Sequence, residues 1–323
     1  MGGSTKQALL QALSAAEGAY ISGQQLAEAL GVSRAAVHKA AQALSAQGYA
    51  LDSAPRRGYR LAGGDPFCAE AVGPYPAPIH IYDTLQSSNL TAKQLALGGA
   101  PHGTLVLTAH QKAGRGRLGR RFESPAGKGV YLSLILRPAL SAADAQSATI
   151  SAAVAVARAV KALCGLELGI KWVNDLYYQG RKVCGILTEA ALDMESGMLD
   201  YAVLGLGFNI TAPPDGWPAE LQDVAGALFD DAPPPGARAA LAAAFLNEFW
   251  ALYHGVPKPE YLPEYRARQA LLGQTVTVTP RNGTPRKAEA LDIDEDCRLV
   301  VRFAGEHNLV PLRGEEVHLG KYL

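Results

Sequence analysis

Residues 104–136, TLVLTAHQKAGRGRLGRRFESPAGKGVYLSLIL, decide how the middle of this 323-residue chain is read. The two ends, 104–110 and 130–136, are rich in β-branched and aliphatic residues and predict strands. Between them, residues 111–122 carry five cations and no acid, and Gly114, Gly116 and Gly119 allow tight turns and close backbone approach to a ligand. A flexible loop of that charge, strung between strands, suits a polyanion such as the phosphates of ATP. It is not a Walker loop, because no Gly-Lys-Ser or Gly-Lys-Thr follows. The plain alternative is a solvated basic loop.

Outward from this stretch, residues 67–270 alternate strands and helices. An Ala/Val-rich helix is expected over 142–164, and strands over 170–173, 176–178, 183–190 and 201–209. An amphipathic helix is expected over 237–254, and 230–236, with three prolines, reads as a loop. This is an α+β pattern. Residues 274–279, 286–293, 299–303 and 316–319 are β again and suggest a small barrel, ended by Tyr322 and Leu323.

The N-terminal segment differs. Leu9, Leu10 and Leu13 have helical spacing. Ser22 caps a second helix that Gly31 ends, and Ser33 caps a third with Ala36, Val37, Ala40 and Leu44 on its apolar side. Gly48 breaks it, and 49–51, a Pro-Arg-Arg-Gly turn at 55–58 and 59–61 form a hairpin. Three helices and a hairpin make a winged helix-turn-helix, and Gly63, Gly64, Asp65 and Pro66 read as its linker. Domains are therefore expected at 1–64, 67–270 and 271–323.

Composition sets limits. Hydrophobic residues are 48% of the chain, enough for a sizeable core, and the formal net charge is zero, so any nucleic-acid site needs a local patch. Residues 1–63 hold six Lys/Arg against three acids, the sign that suits DNA. On the third helix Ser33, Arg34, His38 and Lys39 lie at the polar side, where a recognition helix presents groups to the major groove. Arg56, Arg57 and Arg60 in the wing suit phosphate or minor-groove contact. Winged helices also bind proteins, which is the plain alternative. The four cysteines are scattered, as in a reducing compartment. No signal peptide is apparent and the apolar stretches read as too short for a membrane span. A cytoplasmic protein is expected.

Three further segments carry polar groups beside glycine. KWVNDL at 171–176 puts Lys171 at a strand end and Asn174 and Asp175 in a turn, where they could hold Mg²⁺ or orient phosphate and ribose; the plain alternative is a hairpin turn. KVCGIL at 182–187 has Gly185 within a strand, a sign of close approach. GLGFNI at 205–210 ends a strand on Asn209. Ser87-Ser88-Asn89 reads as a helix N-cap before 90–97 that could also read a small polar ring.

Taken together, the chain resembles the biotin protein ligases. GRGRLGR at 114–120 is similar to that family's GRGRxGR loop, KWVNDL to KWPNDL, KVCGIL to K-x-x-G-I-L and GLGFNI to G-x-G-x-N, in the same order and at similar spacing. The likeness extends to both ends, since longer members carry an N-terminal winged helix and a C-terminal SH3-like barrel. It implies a central mixed-sheet domain like that of class II synthetases. Carried over, the biotin pocket falls on Ser87, Ser88, Asn89, Gln111, Arg115, Gly116, Arg117 and Lys171. Nucleotide contacts fall on Arg117, Arg120, Phe122, Lys171, Asn174, Asp175 and Asn209. Lys171, Arg117 and Asp175 are the catalytic candidates, Asp175 as base or orienter. Ser88 stands where the family has Thr, Phe122 where many relatives have an adenine-stacking Trp, and Val173 where Pro is usual, which would loosen that turn.

The resemblance implies ATP and Mg²⁺, the metal arriving on ATP with no direct protein ligands. It implies biotin as substrate, biotinyl-5′-AMP as intermediate and corepressor, and a biotin carboxyl carrier protein as acceptor. Operator DNA and a homodimer are the further expected partners, with no membrane. Where such repressors have Asn, this chain has His38, so base preference would differ. Three rival readings remain: a ligase whose winged helix does not regulate transcription, a lipoate-type acyl ligase, and a transcription factor using the central domain only as a sensor.

Overall fold

The computed structural model describes residues 5–137, 145–192, 199–231, 233–234, 236–253, 259–280, 283–314 and 317–319. The expected helix start at 142–144, the helix end at His254, residue 316 and the terminal Tyr322 and Leu323 lie outside them. Internal contacts divide the chain into two units, Met1–Tyr75 with Ala232–Ala243, and Pro76–Asp231 with Ala244–Leu323.

In the first unit, helices α1 (Thr5–Ala15), α2 (Gly23–Leu30) and α3 (Arg34–Ala46) precede an antiparallel hairpin, β1 (Tyr49–Ala54) and β2 (Gly58–Gly64), and a short helix α4 (Ala69–Val72). Local chemistry sets the helix ends. Ser22 and Gln25 form a reciprocal capping box, Gly31 closes α2 in the left-handed region, and the Ser33 hydroxyl accepts from the Ala36 amide at 3.1 Å. Leu9, Leu13, Leu26, Val37, Ala40 and Leu44 meet in one core, joined at its edge by Tyr49, Leu51, Tyr59 and Leu61 of the hairpin. Gly63 and Gly64, read as linker, instead end β2, and the Gly64 carbonyl accepts from Gly236 at 2.7 Å. Asp65 pairs with Arg238 at 2.5 Å.

The second unit is built on a seven-stranded mixed sheet. Its strands are β3 (Ile79–Tyr82), β4 (Leu105–Thr108), β5 (Gly129–Leu136), β6 (Gly169–Lys171), β7 (Asp175–Tyr178), β8 (Arg181–Leu192) and β9 (Leu199–Asn209). The order is β3-β4-β5-β9-β8-β7-β6, with β3–β4 parallel and the rest antiparallel. Every residue of β5 is buried, and all of β9 but Asp200, so the middle of the sheet is covered on both faces. Helix α5 (Ser88–Leu97) packs Ala92 and Ala96 on Val106, Ile135, Tyr201 and Val203. Helix α6 (Ala145–Cys164) packs along β8. Contrary to the expectation from sequence, residues 146–164 are long and apolar enough to cross a membrane; 152–157 are fully buried in the fold, as in a core helix.

Helix α7 (Ala237–Leu252) buries Ala242, Phe245, Leu246 and Phe249 along one stripe, yet its exposed Ala240 and Ala251 are also apolar, so it is amphipathic in burial more than in composition. Helix α8 (Leu262–Ala267) follows. The five remaining strands, β10 (Thr275–Pro280), β11 (Arg286–Ile293), β12 (Leu299–Phe303), β13 (Leu309–Leu312) and β14 (Val317–Leu319), form an antiparallel sheet ordered β13-β12-β11-β10-β14. Its edges, β13 and β14, are not paired to each other among the described residues; the strands expected of a small barrel are present as this antiparallel sheet.

Glu264 on α8 binds Arg158 of α6 at 2.7 Å and Arg268 at 2.9 Å. Burial alone would raise its carboxyl, but hydrogen bonds from Arg158 and Arg268 outweigh that and hold it below the usual range. A depressed carboxyl stabilises the fold above its unfolded pKa, and that contribution is lost as pH falls through the folded value. Glu264→Gln should therefore be less stable than the parent at pH 7. The gap should close below the ordinary Glu pKa of about 4.3, as read by urea midpoints across pH.

Candidate functional site

The β6–β7 hairpin puts Lys171 directly opposite Asp175. Its tip is held from several directions. The Trp172 indole donates to the Cys297 carbonyl at 3.0 Å, the Tyr265 hydroxyl donates to the Val173 carbonyl at 3.0 Å, and the Asn174 amide donates to the Ile186 carbonyl at 2.6 Å. Val173 stands within this anchored turn, and its peptide with Trp172 is cis. The next strand brings Lys182, ion-paired to Asp175 at 2.6 Å. Burial, with Lys182 and Arg120 nearby, pushes the Lys171 ammonium below its usual range, while Asp175 opposes the shift. Three cations thus crowd one carboxylate, a field that an anionic ligand would relieve.

The basic loop folds back on itself through main-chain hydrogen bonds. Gly116 donates to the Arg120 carbonyl at 2.7 Å, Phe122 to Gly114 at 2.9 Å, and residues 117–119 form one 3₁₀ turn with Leu118 in the left-handed region. Arg117 donates to the Asn174 side-chain oxygen at 3.0 Å and to the Gly314 carbonyl. Segments 111–122 and 171–175 therefore converge, on a cavity of about 450 Å³.

Every residue read as a biotin or nucleotide contact lies on its wall. At one end are Ser87, Ser88, Asn89 and Gln111, all buried. Ser87 stands at the N-cap of α5, but its side chain makes no capping bond; the Gln111 side-chain oxygen takes the Ser88 amide instead, at 2.8 Å. Arg115, Gly116, Arg117, Arg120 and Lys171 line the middle. Phe122, Asn174, Asp175 and Asn209 complete the set. Both polar ends of the Asn174 side chain are engaged by protein, so it holds Arg117 to β8. Asn209 donates to the Gly226 carbonyl at 2.9 Å, and its buried side-chain oxygen has no partner among the described residues, leaving an acceptor for a ligand N–H.

The GLG segment has a steric reason. A side chain at Gly205 would place its Cβ 2.0 Å from the Asn89 side-chain oxygen, and one at Gly207 would fall 2.4 Å from the Phe122 ring. The two glycines make room for one residue at each end of the cavity.

Lys182 and the buried Trp217 also line the wall, and the sequence reading did not place them in the site. Lys182 opens the KVCGIL segment and could have been found as a cation just before a strand glycine. Trp217, in a Gly-Trp-Pro loop, carries no such signal. A second cavity, about 1200 Å³, shares Arg115, Arg117 and Asn174 and is bounded by α6 and segments 295–298 and 313–314. Among the described residues no three His, Cys, Asp or Glu side chains form a metal-binding group. On the first cavity's wall the carboxylates are Asp175 and Glu123, ion-paired to Lys182 and Arg121.

In the first unit Ser33, Arg34, His38, Lys39, Arg56 and Arg57 are all exposed. His38 Nδ1 lies 3.0 Å from the Tyr59 hydroxyl, joining α3 to the wing, and Arg57 lies over the Tyr20 ring at 4.1 Å. Arg60, the third wing arginine, is ion-paired to Asp52 at 2.6 Å.

Residues 82–209 match the biotin/lipoate A/B protein ligase family, and residues 5–60 an HTH domain. The chain is 34% identical to the bifunctional ligase/repressor BirA of Bacillus subtilis, over 91% of this chain and 92% of that protein. It is 31% identical to the biotin--[acetyl-CoA-carboxylase] ligase of Mycobacterium tuberculosis, over 72% of this chain and 86% of that one. Among solved structures, the biotin protein ligase of Aquifex aeolicus in complex with biotin and ATP aligns at a TM-score of 0.61 and 20% identity, covering 76% of this chain and 99% of that one, a likeness of fold.

Proposed function

Since the chain belongs to the biotin protein ligase family, with a helix-turn-helix ahead of its ligase domain, we propose that the 450 Å³ cavity binds biotin and ATP side by side. The chain is an ATP-dependent ligase that forms biotinyl-5′-AMP and passes biotin to a carrier-protein lysine. The observation that carries the site assignment is the convergence of Arg117, Arg120, Lys171 and Lys182 on one cavity that is also lined by the buried Ser87, Ser88, Asn89 and Gln111 and by Phe122.

The vitamin's ring takes the Ser87, Ser88, Asn89 and Gln111 end, where buried donors and acceptors suit a ureido group. The adenine takes the Phe122 end, where the Asn209 oxygen accepts from its amino group. A carboxylate oxygen of biotin attacks the α-phosphorus and diphosphate leaves, while Lys171, Arg117 and Arg120 stabilise the charge that shifts. Mg²⁺ would enter on the triphosphate, since the wall's carboxylates are already paired, and would add positive charge there. In the second step a neutral lysine amine attacks the acyl carbon, the acyl–phosphate bond breaks, AMP leaves, and the amine's proton passes to solvent water. Asp175, bound to Lys182, orients the cation cluster rather than serving as base. The larger cavity gives the acceptor side chain its route.

Incubating the chain with ATP, Mg²⁺, biotin and a purified carrier domain should add one biotinyl group by intact mass, and lipoate in place of biotin should add none; the reverse outcome would make it a lipoate-type ligase. The exposed cations of α3 and the wing bind operator DNA in this reading, with a ligand-bound homodimer as the repressing form. Binding in a gel shift should weaken steeply with salt, and Lys39→Ala should flatten that dependence by about one counterion. An unaltered salt slope would remove Lys39 from the interface.

A further inference from the structure

We propose that Glu189, on β8, is a positioning residue that orients the vitamin end of the cavity by acting through Asn89. The inference rests on the biotin assignment above.

Glu189 Oε2 accepts from Asn89 Nδ2 at 2.9 Å, and the Leu187 carbonyl accepts from the same nitrogen at 3.3 Å. With its amide hydrogens so engaged, Asn89 can turn only its oxygen toward Ser133, and Ser133 Oγ donates to it at 2.6 Å. Ser133 Oγ also lies 2.8 Å from Ser88 Oγ, which lies 3.1 Å from Gln111 Oε1. Gln111 Nε2 donates in turn to Ser124 at 2.9 Å. Ser88 Oγ donates its proton to Gln111 Oε1, so to a ligand in the cavity this hydroxyl offers a lone pair, the group a ureido N–H needs. Glu189 fixes the sense of this series. Were Asn89 to flip, its oxygen would face a carboxylate and its NH₂ would displace the proton of Ser133.

The carboxylate is held in place by two cations. Lys93 Nζ binds Glu189 Oε1 at 2.5 Å, and Arg115 of the basic loop lies 3.9 Å away. Burial would raise this carboxyl, but hydrogen bonds from Lys93 and Asn89 outweigh it and hold it below the usual range, so it is ionised at neutral pH. Glu189 itself does not line the 450 Å³ cavity. It lines the larger cavity instead, and it touches the vitamin end through Asn89.

Glu189→Gln keeps the shape and removes the charge that forbids the flip. Ser133→Ala cuts the series between Asn89 and Ser88. Diphosphate release by the full chain, titrated separately with biotin and with ATP, reads both variants. Each should raise KM for biotin about tenfold, the worth of one buried charge-assisted hydrogen bond, and move KM for ATP by less than about two-fold. An unchanged biotin KM in either variant, or both constants rising together, overturns the proposal. Inactivity of the unmodified chain toward biotin overturns the ligase assignment and this inference with it.

Discussion

Lys171→Ala should slow adenylate formation by about 10²–10³-fold, the usual loss when one preorganised charge-stabilising group is removed, with little change in melting temperature. The amine stands at the end of β6, opposite Asp175 and beside Lys182 and Arg120, and it is half-buried on the cavity wall. Burial makes its charge costly in the empty site and strong against a bound anion. The backbone of Lys171 is held by pairing with β7 and by the anchored tip at 172–174, so the side chain is not needed to keep the hairpin. Rapid-quench measurement of diphosphate release, beside a thermal melt, separates the two effects. Unchanged diphosphate release would remove Lys171 from the chemistry, and a collapsed melt would make it structural.

Gly205→Ala and Gly207→Ala should damage opposite ends of the same cavity. The added methyl at 205 collides with the Asn89 oxygen, and at 207 with the Phe122 ring. Overpacking of this kind costs about 1–3 kcal/mol, or roughly five- to 150-fold in an equilibrium constant. The first variant should lose biotin affinity with ATP affinity largely kept, and the second the reverse. Calorimetric titration of each ligand reads this directly. Equal losses of both ligands in both variants would mean that the glycines serve only the packing of β8 on β9.

Much of this arrangement was legible beforehand, for identifiable reasons. Strands β4 and β5 are runs of apolar residues bounded by polar and glycine-bearing turns, and α2 and α3 carry cap chemistry that specifies their ends within a residue. Strand β3 was missed because it has only four residues, all half-buried at a sheet edge, and β13 because Pro311 sits within it. The site residues were found from motifs, but not what each is occupied with. Asn89 and Asn174 look like ligand contacts in sequence, while in the structure both spend their amides on protein partners. Nor could the reason for Gly205 and Gly207 be read, since the side chains they accommodate come from distant segments.

The carbonyls of Cys297 and Gly314 reach back to Trp172 and Arg117. Both are main-chain groups, so the hairpin depends on the path of the chain at 297 and 314, where Cys297 is held at a φ of 60° and a side chain at Gly314 would press on Val173. A one-residue insertion or deletion near 297 or 314 would withdraw a buttress from the catalytic hairpin, turning a remote length change into a loss of activity.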